Sequence, residues 1–505
     1  MKYKVTFITT ALLMLFAVDI PAQVLRSNYF LEGVSLRHQM NPSFMGENSY
    51  ISFPLIGNTA IDIHGNVGLS NFVYKYDDPV YSLTTFLNSA INGNTFLKKL
   101  PANNKVSANL SLTLFSIGFY KWAGFNTFEL GIKSNTSFNI PKSLFDFMKT
   151  GMNDKEKEYH IKNLDMRTNN YAELAFGHSR IIDEGLQIGG KFKILIGGAN
   201  VRAHMDDMVI KMSENEWEVS ARGNLDVSVK GGSFKTIDTK KTQETIVINE
   251  TQETIVIKET GGEKEVGVIK ETKETITSNE TIIRKKIDGF DLNSPGIGGW
   301  GAGIDFGVTY NIHDNLIVSA AILDFGFITW GNSLKGYNNG TPFKFEGFDE
   351  FAAGGDIEDS NNKSIKDQVA DIKGDLKDAL LFYEKEEKGK RTTMLATTLN
   401  LGAEYIYPDC EQLSFGALSS TRFNGRYTWS EMRLSANVKP VDWFNTALTC
   451  GLSNYGSSLG WAFNFHPTGF NFYAGFDYMV MKLTPQFIPV NRPNLLANMG
   501  FGFTF

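Results

Sequence analysis

The chain has 505 residues, with 49 Lys and Arg against 55 Asp and Glu, and a formal net charge of −6. This balance gives no basic field for nucleic acid, and two cysteines cannot build a disulfide framework or a four-thiolate zinc site. The mean hydropathy of −0.18 is too polar for a bundle of membrane helices. What remains is a large soluble protein or a membrane protein whose apolar surface alternates with polar positions.

The first residues have the pattern of a secretory signal peptide. Two lysines precede an apolar run over residues 5–18, and Ala22 supplies a small residue for cleavage. A membrane anchor is the alternative, but the run is shorter than the ~20 residues needed to span a bilayer. We therefore predict that residues 1–22 are a signal peptide cleaved near Ala22 and that a Gram-negative bacterium exports the mature chain.

The rest of the chain reads as strands whose side chains alternate with a period of two. Between residues 301 and 310, apolar residues on one face alternate with glycine, Asp305 and Thr309 on the other. The last strand alternates in the same way up to a C-terminal Phe505, which resembles the targeting signal of bacterial outer-membrane barrels. Many strands extend to about ten residues, which matches the ~9–11 that cross a bilayer at a tilt. Because closure satisfies every backbone group in lipid, a transmembrane barrel explains this pattern best.

The candidate strands fit an up-and-down barrel. Their number, about 14, is even, as single-chain bacterial barrels require, and the short turns all fall on one side of the wall. Short turns face the periplasm in such barrels and long loops face outside. We predict an all-β fold: a transmembrane antiparallel β-barrel of about 14 strands over residues 58–505, with large extracellular loops. The candidate strands lie near 59–70, 105–121, 126–139, 165–179, 185–198, 296–311, 313–327, 394–408, 413–421, 427–438, 444–453, 459–465, 470–482 and 495–505.

Two long connections interrupt the strand pattern. Residues 199–295 contain a repeated Thr-Gln-Glu-Thr-Ile-Val-Ile unit, which favours either a β-rich extension or a disordered surface loop. Within this connection a hairpin is predicted to turn at residues 222–224. Residues 331–392 carry apolar positions from 365 to 380 at helical spacing, which predicts an amphipathic surface helix. A shorter helix is predicted at residues 141–149.

Residues 23–57 precede the first secure strand and include Asn41-Pro42-Ser43. This segment, the glycine-rich strand over 301–310, the Asp-Phe-Gly-Phe-Ile-Thr-Trp run over 324–330 and the terminal Phe505 resemble the long-chain fatty-acid transporter superfamily. The resemblance covers most of the mature chain by pattern, and its motifs are moderately specific.

A second resemblance is closer. The run over residues 29–54 and the short segment over 139–141 are similar to an uncharacterised outer-membrane barrel family, a domain of unknown function. The broader resemblance implies a fourteen-stranded barrel in which residues 23–57 fold inward as a plug, with Asn41 and Pro42 in the lumen. No substrate is implied, because the closer family has none assigned.

No group of residues in the sequence indicates catalysis, a metal or a cofactor. The glycines over 296–301 match the dinucleotide fingerprint formally and residues 185–191 resemble a phosphate loop, but both continue as strands where the motifs require a helix. The seven histidines are scattered without metal-ligand spacing. We therefore predict no enzyme, no catalytic residue, no metal site and no cofactor.

Charged residues on the polar face of the strands are predicted to point into the lumen. They either contact a solute or are ordinary solvated and salt-bridged residues of the lumen, and the second reading is favoured at any single position. The candidates are Glu173, Lys191, Lys193, Asp305, Arg433 and Asp477.

Asp324 shifts the phase of its strand. Apolar residues alternate up to Ile322 and resume with Leu323, Phe325 and Phe327, as a β-bulge would produce. Such a bulge either opens a lateral path through the wall for an apolar solute or curves the strand near the outer rim, and the second reading is the simpler one.

Together these features predict an outer-membrane barrel, in contact with outer-membrane lipid, that binds or passively transports a small solute, hydrophobic molecules included. The alternative is a surface scaffold or recognition protein that binds protein partners through its extracellular loops, 199–295 and 331–392. No nucleic-acid partner is expected. A continuous apolar cavity in the lumen would favour transport, and a filled lumen would favour the scaffold.

Overall fold

The protein is described from a computed structural model. The predicted signal peptide and the predicted helix over 365–380 lie outside the described residues. Among the helices of the described part, none has the length and apolar character needed to cross a membrane. The structure describes residues 26–53, 58–75, 83–151, 156–214, 216–247, 253–260, 263–270, 276–340, 343–345, 382–477, 492 and 494–505.

Strands dominate the described residues. The first twelve are β1 Tyr50–Ser52, β2 Asn58–Gly65, β3 Val73–Lys75, β4 Leu83–Thr85, β5 Asn103–Lys121, β6 Gly124–Pro141, β7 Glu156–Asp183, β8 Leu186–Ser213, β9 Trp217–Val229, β10 Gly232–Val247, β11 Glu253–Thr260 and β12 Glu263–Lys270. The next twelve are β13 Ile276–Leu292, β14 Gly299–His313, β15 Leu316–Asn339, β16 Phe343–Phe345, β17 Tyr383–Met394, β18 Thr397–Ile406, β19 Leu413–Phe423, β20 Trp429–Val441, β21 Phe444–Ser453, β22 Gly456–Phe465, β23 Asn471–Phe476 and β24 Asn494–Thr504. The helices are α1 Gly93–Lys98, α2 Lys142–Thr150 and the 3-10 turns Arg26–Asn28, Arg37–Gln39, Leu69–Asn71 and Gly425–Tyr427.

Fourteen of these strands close into one antiparallel barrel. Neighbours pair in the order β2, β5, β6, β7, β8, β14, β15, β18, β19, β20, β21, β22, β23 and β24. β24 closes the wall on β2, with Asn58 opposite Gly500, and adjacent to that seam Tyr50 of β1 pairs with Thr504 and Gly118. The predicted all-β barrel of about 14 strands is confirmed.

Alternation places apolar side chains on the outside of the wall and polar side chains inside it. In β14, Ile304 and Phe306 are 51% and 54% exposed on the outer face, whereas Asp305 between them is 4% exposed. Leu448 and Leu452 of β21 are exposed in the same way. An apolar band of this extent is unfavourable in water and favourable in lipid, so the outer face is that of a membrane barrel.

The two ends of the barrel differ in the length of their connections. One end, called here the short-turn end, carries the turns 122–123, 184–185, 314–315, 407–412, 442–443 and 466–470. The C-terminus also lies there, where the Phe505 N–H donates to the Ser49 carbonyl at 2.9 Å. At the opposite, long-loop end the chain leaves the wall between β2 and β5, β6 and β7, β8 and β14, and β15 and β18, and each of these connections has more residues than any turn of the short-turn end.

Beyond the long-loop end, several wall strands continue as an extended sheet. β7 and β8 each run for 28 residues, far more than the ~9–11 that cross a bilayer. β8 therefore continues to Ser213, although the sequence predicted a connection from residue 199. The hairpin predicted at residues 222–224 is wrong, because β9 passes straight through them and pairs with β8 on one side and β15 on the other. Pairing with two neighbours outweighs the local turn preference of Gly223.

A small cap covers part of the rim between β2 and β6. Phe72, Phe86, Phe96 and Phe145 pack against one another, with ring centroids 4.5 to 6.3 Å apart. α2 begins directly after Pro141, the last residue of β6, whose fixed φ of −68° suits a helix start. The helix predicted over residues 141–149 is confirmed.

Candidate functional site

Residues 26–52 lie inside the barrel towards the short-turn end, and they are called here the plug segment. Their apolar side chains pack in two clusters that include wall residues. The first cluster contains Tyr29, Phe30, Met40 and Phe44 with Leu418 of β19. The second contains Leu31, Val34, Leu36 and Tyr50 with Phe125, Ala447, Ala462, Tyr473 and Leu496 of the wall.

Side-chain amides of the wall hydrogen-bond to the backbone of the plug segment. Asn445 and Asn464 both donate to the Glu32 carbonyl, at 2.6 and 3.2 Å. Asn471 donates to the Gly33 carbonyl at 2.8 Å. Buried carbonyls need such partners, and an irregular segment cannot obtain them from a sheet. The asparagines of the wall thus replace a neighbouring strand.

Asn41 and Pro42 lie against two wall glycines. The Asn41 side-chain oxygen accepts from the N–H of Ser43 at 3.0 Å and from its hydroxyl at 2.8 Å, which fixes a tight turn. A Cβ atom on Gly307 would overlap the Asn41 side-chain oxygen, and a Cβ atom on Gly189 would overlap the Pro42 carbonyl. Glycine at these two wall positions therefore permits the plug backbone to approach the wall closely.

A buried polar network joins the plug segment to β6 and β8. The Lys191 ammonium lies 2.6 Å from Glu129 and donates to His38 Nδ1 at 2.7 Å. His38 Nε2 lies 2.6 Å from the Tyr50 hydroxyl, which is 2.7 Å from the Ser116 hydroxyl. Because an ammonium can only donate, Nδ1 must accept, and His38 is neutral with its proton on Nε2. Burial, together with nearby Lys191, lowers the pKa of His38 to about 3.

Above the plug segment, charged side chains from five wall strands form a second network. Lys193 Nζ lies 2.7 Å from Asp305 and 2.6 Å from Asp324. Lys133 Nζ lies 3.1 Å from Glu173 and 3.2 Å from Asp324. The two lysines therefore share the Asp324 carboxylate, and the network extends over five consecutive strands of the wall.

Asp324 owes its position to a change of register in the wall. The pairing of β14 with β15 shifts between Ile304 and Phe306, which leaves two residues of β15 opposite one of β14. Asp324 has a φ of 56°, and its N–H donates to the Asp305 carboxylate at 2.6 Å. Leu323 is 8% exposed and lines the lumen, so it does not share the outer face with Phe325 and Phe327, because the extra residue turns its side chain and that of Asp324 inward.

A third network holds the beginning of the plug segment. Arg433 lies 2.6 Å from Glu431 and 3.2 Å from Asp477. The Ser27 hydroxyl donates to Asp477, and Arg26 lies 3.5 Å from Glu431. Arg433 and Asp477 therefore lie inside the barrel, like the predicted lumen residues of the other two networks, and each has a partner of opposite charge.

Two cavities lie in the lumen above the plug segment. The inner cavity, of about 110 Å³, rests on Tyr29 and Met40 of the plug segment and is lined by the charged network around Lys193. The outer cavity, of about 580 Å³, lies nearer the long-loop end. Asn135 lines both cavities, so they adjoin at this residue. The charged lining of the outer cavity consists of Arg167, Arg202, Arg391 and Asp226.

Residues 42–477 match a family of unknown function, DUF5723. The chain belongs to this family. The similarity to an outer-membrane barrel family of unknown function, first indicated by residues 29–54, is thereby confirmed.

Several solved structures are similar to this DUF5723 chain at very low identity. The Pseudomonas putida toluene transporter TodX is 7% identical, with a TM-score of 0.34, over 96% of this chain and 99% of that one. A Pseudomonas aeruginosa FadL homologue is 8% identical, with a TM-score of 0.32, over 94% and 92%. The siderophore receptor PirA from Pseudomonas aeruginosa is 9% identical, with a TM-score of 0.19, over 92% and 81%. A search of curated proteins gives no match.

Sequence reasoning missed several charged residues that line the DUF5723 lumen. Glu129 and Lys133 alternate with apolar residues of β6, so their phase carried the signal that they point inward. Arg167 likewise stands in phase with Glu173. Arg202 gave no such signal, because it lies in the part of β8 that continues beyond the predicted barrel. Within the described residues, no group of three or more His, Cys, Asp or Glu side chains is arranged to hold a metal ion.

Proposed function

We propose that this DUF5723 protein is an outer-membrane barrel that admits a small solute from outside, binds it in the lumen and releases it when the plug segment moves. The observation that supports this most strongly is the position of the two cavities in the lumen. The two adjoining cavities begin near the long-loop end and stop at the plug segment, where Tyr29 and Met40 form the floor. A cavity that is closed at one end can bind a solute, and the solute can pass on only when the residues that close this end move.

The lining of the chamber favours a solute that carries polar or charged groups. Lys133, Lys193 and Glu173 line the inner cavity beside the apolar side chains of Leu323 and Leu418. A purely hydrophobic solute would displace water from these charged groups, which is costly even though they pair with carboxylates or ammonium groups nearby. The hydrophobic solute considered from the sequence therefore fits the chamber best as the apolar part of an amphiphilic molecule.

The alternative function is recognition of a partner at the surface. It is favoured by the extended sheet beyond the long-loop end, where β10 and β13 form a hairpin 16 residue pairs long. This hairpin takes no part in closing the barrel wall, so it requires its own explanation. Both functions can coexist in one chain, and one pair of deletions separates them.

Liposome swelling with L-arabinose, a small neutral probe, tests the proposal. We expect the full chain to swell liposomes little faster than protein-free controls, and a variant lacking residues 26–49 to swell them at least about tenfold faster, because its floor is gone. The matched control lacks residues 232–292, whose flanking backbone groups, Gly231 and Asn293, already meet at 3.0 Å. This control should leave swelling unchanged.

Each variant must first show heat-modifiable migration on gels, which establishes a closed barrel. Swelling that stays at the protein-free rate in a folded variant without residues 26–49 would overturn the proposal. Loss of cell-surface binding in the 232–292 deletion, with unchanged swelling, would instead favour the recognition function.

A further inference from the structure

Three arginines surround the outer cavity in an arrangement that leaves them short of negative charge. Arg167 of β7 stands directly opposite Arg202 of β8, and Arg202 stands opposite Asp226 of β9. Arg391 of β17 lines the same cavity, 3.3 Å from Asp226. Like charges at directly opposite positions of a sheet repel each other, so the first pair is unfavourable unless an anion is shared between them.

The carboxylates near these arginines each pair with one guanidinium, and the second Asp165 oxygen, Oδ1, has no hydrogen-bond partner within the described residues. The buried Asp165 carboxylate accepts from Arg167 Nε at 2.8 Å and from the Tyr427 hydroxyl at 2.9 Å. Its distance to Arg202 Nε is 3.8 Å, too long for a hydrogen bond. Asp226 is paired with Arg391. Two carboxylates therefore lie near three guanidinium groups, and the carboxylate nearest to Arg202 is farther away than those of Arg167 and Arg391.

Two hydrogen-bond donors at the cavity remain unused. The Nε–H groups of Arg202 and Arg391 are shielded from solvent, and within the described residues neither finds an acceptor. A buried donor without an acceptor costs free energy, and the cost is higher for a charged group. The side chain of Arg202 is otherwise 43% exposed towards the cavity, so an acceptor that enters the cavity can reach it.

We propose that the outer cavity binds an oxyanion, a carboxylate or phosphate group, with Arg202 as the main contact and Arg167 and Arg391 beside it. Guanidinium groups donate paired hydrogen bonds that match the geometry of such oxyanions. An oxyanion here relieves the repulsion between Arg167 and Arg202 and supplies acceptors for the two unused donors. The cavity of about 580 Å³ is larger than the oxyanion alone and leaves room for the rest of a small solute.

The next guanidinium along the same route is that of Arg422. It donates to the Asn135 side-chain oxygen at 3.0 Å, where the outer and inner cavities adjoin. A solute that leaves the three arginines of the outer cavity thus meets a further guanidinium before it reaches the plug segment. This inference rests on the proposed function, since it assigns the oxyanion to the entering solute.

Isothermal titration of the full chain in detergent, with inorganic phosphate in one arm and acetate in the other, tests the inference. We expect saturable binding of at least one probe, and Arg202→Gln should weaken it about tenfold or more, as expected when one charged hydrogen-bonding group is lost. The affinity of Arg202→Lys should lie between those of the unchanged protein and Arg202→Gln, because lysine retains the charge but not the paired donors. The arm with the stronger binding identifies the oxyanion.

Arg180→Gln is the matched control, because Arg180 lies on β7, the strand that carries Arg167 and pairs with the strand of Arg202, and is exposed near the short-turn end. It should bind both probes like the unchanged protein. Equal affinities of the unchanged protein and Arg202→Gln for both probes, or no saturable binding at all, would overturn the inference.

The titration does not require the plug segment to move, so the two proposals fail separately. Oxyanion binding without swelling in the variant lacking residues 26–49 contradicts transport only. Swelling without oxyanion binding contradicts the arginine site only.

Discussion

The two halves of the lumen are occupied in different ways. Towards the short-turn end, the plug segment fills the space and meets the wall mainly through neutral contacts, such as the Asn471 amide on the Gly33 carbonyl and the close packing of Gly189 on Pro42. Towards the long-loop end, the space is left as two cavities, and wall charges such as Lys193 and Asp324 pair with each other at the edge of the inner one.

This difference indicates which part of the molecule can move. A neutral hydrogen bond contributes only about 1 kcal/mol, because water replaces the partner when the bond breaks. Removing one member of a buried ion pair costs about 3–5 kcal/mol, because the other charge loses its partner. In the proposed release step the plug segment therefore gives up neutral hydrogen bonds, apolar contacts and the Arg26–Glu431 pair, whereas the buried charge pairs of the wall stay intact. A fixed binding chamber above a removable floor is the arrangement that gated passage requires.

Gly189→Ala should have the largest effect, because it blocks the close contact on which plug docking depends. The added Cβ overlaps the Pro42 carbonyl, which is backbone and cannot rotate away. We expect the plug segment to undock while the barrel stays closed. The measurement is the rate of maleimide labelling of Ser35→Cys, a buried plug position, in a chain whose two free cysteines are replaced by serine. The rate should rise by about a hundredfold or more, since undocking removes the protection altogether.

Gly190→Ala is the control for this substitution, on the same strand but on the other face. The nearest atom to its added Cβ is the Asp305 carbonyl oxygen at 3.6 Å, an ordinary contact. The cysteine at position 35 should then be labelled as slowly as in the chain that retains Gly189 and Gly190. If Gly189→Ala labels no faster than Gly190→Ala, close packing on Pro42 is not what holds the plug segment.

Lys193→Met should have an intermediate effect, on the stability of the wall itself. It leaves the Asp305 and Asp324 carboxylates facing each other without the ammonium between them. We expect a loss of about 2 kcal/mol, below the ~3–5 kcal/mol of a fully buried pair because the cavity admits water. Urea unfolding in detergent micelles measures the loss. Adding Asp305→Asn should recover part of it by removing one charge, and a double variant no more stable than Lys193→Met would contradict this account.

The contrast between the two halves also decides what the sequence could predict. Within the membrane, lipid on one face and a polar lumen on the other impose strict alternation, so the inward position of Glu173 follows from the pattern alone. Its partner does not, because the pairing of Glu173 with Lys133 depends on barrel closure and register. The plug contacts are harder still: Asn471 and Gly33 are 438 residues apart, and nothing local connects them.

The sequence was least informative beyond the long-loop end. There the sheet no longer meets lipid, one part of it packs in an apolar cluster that includes Ile161, Ile210 and Val219, and β8 beyond residue 198 was taken for a connection. Arg202, the main residue of the proposed oxyanion site, lies in that continuation. The signals that locate a membrane strand are therefore absent where the proposed recognition of the solute begins.

Acidification should have the smallest effect. It should weaken the docking of the plug segment gradually, because His38 takes up a proton when the segment undocks. In the docked state this neutral ring faces the Lys191 ammonium, the Glu129 carboxylate and the Tyr50 hydroxyl. Burial lowers the pKa of docked His38 to about 3, whereas an undocked histidine titrates near ~6.5. Below pH ~6.5 the undocked segment therefore binds a proton that the docked segment does not. Docking is strongest above that pH and weakens as the pH falls towards 3, by at most about tenfold per pH unit for one proton.

The labelling rate of Ser35→Cys at pH 7.5 and 5.5 measures this loosening, divided at each pH by the rate of a chain that retains only the exposed Cys410. The division removes the pH dependence of the thiol chemistry itself. The ratio should rise at pH 5.5, and His38→Gln should flatten the rise, because glutamine can accept from Lys191 but takes up no proton. A ratio that is constant with pH would show that His38 stays neutral in both states. If the ratio still rises at pH 5.5 in His38→Gln, the group that takes up the proton is not His38. Docking would then depend on the neutral contacts of the short-turn half and not on the protonation of His38.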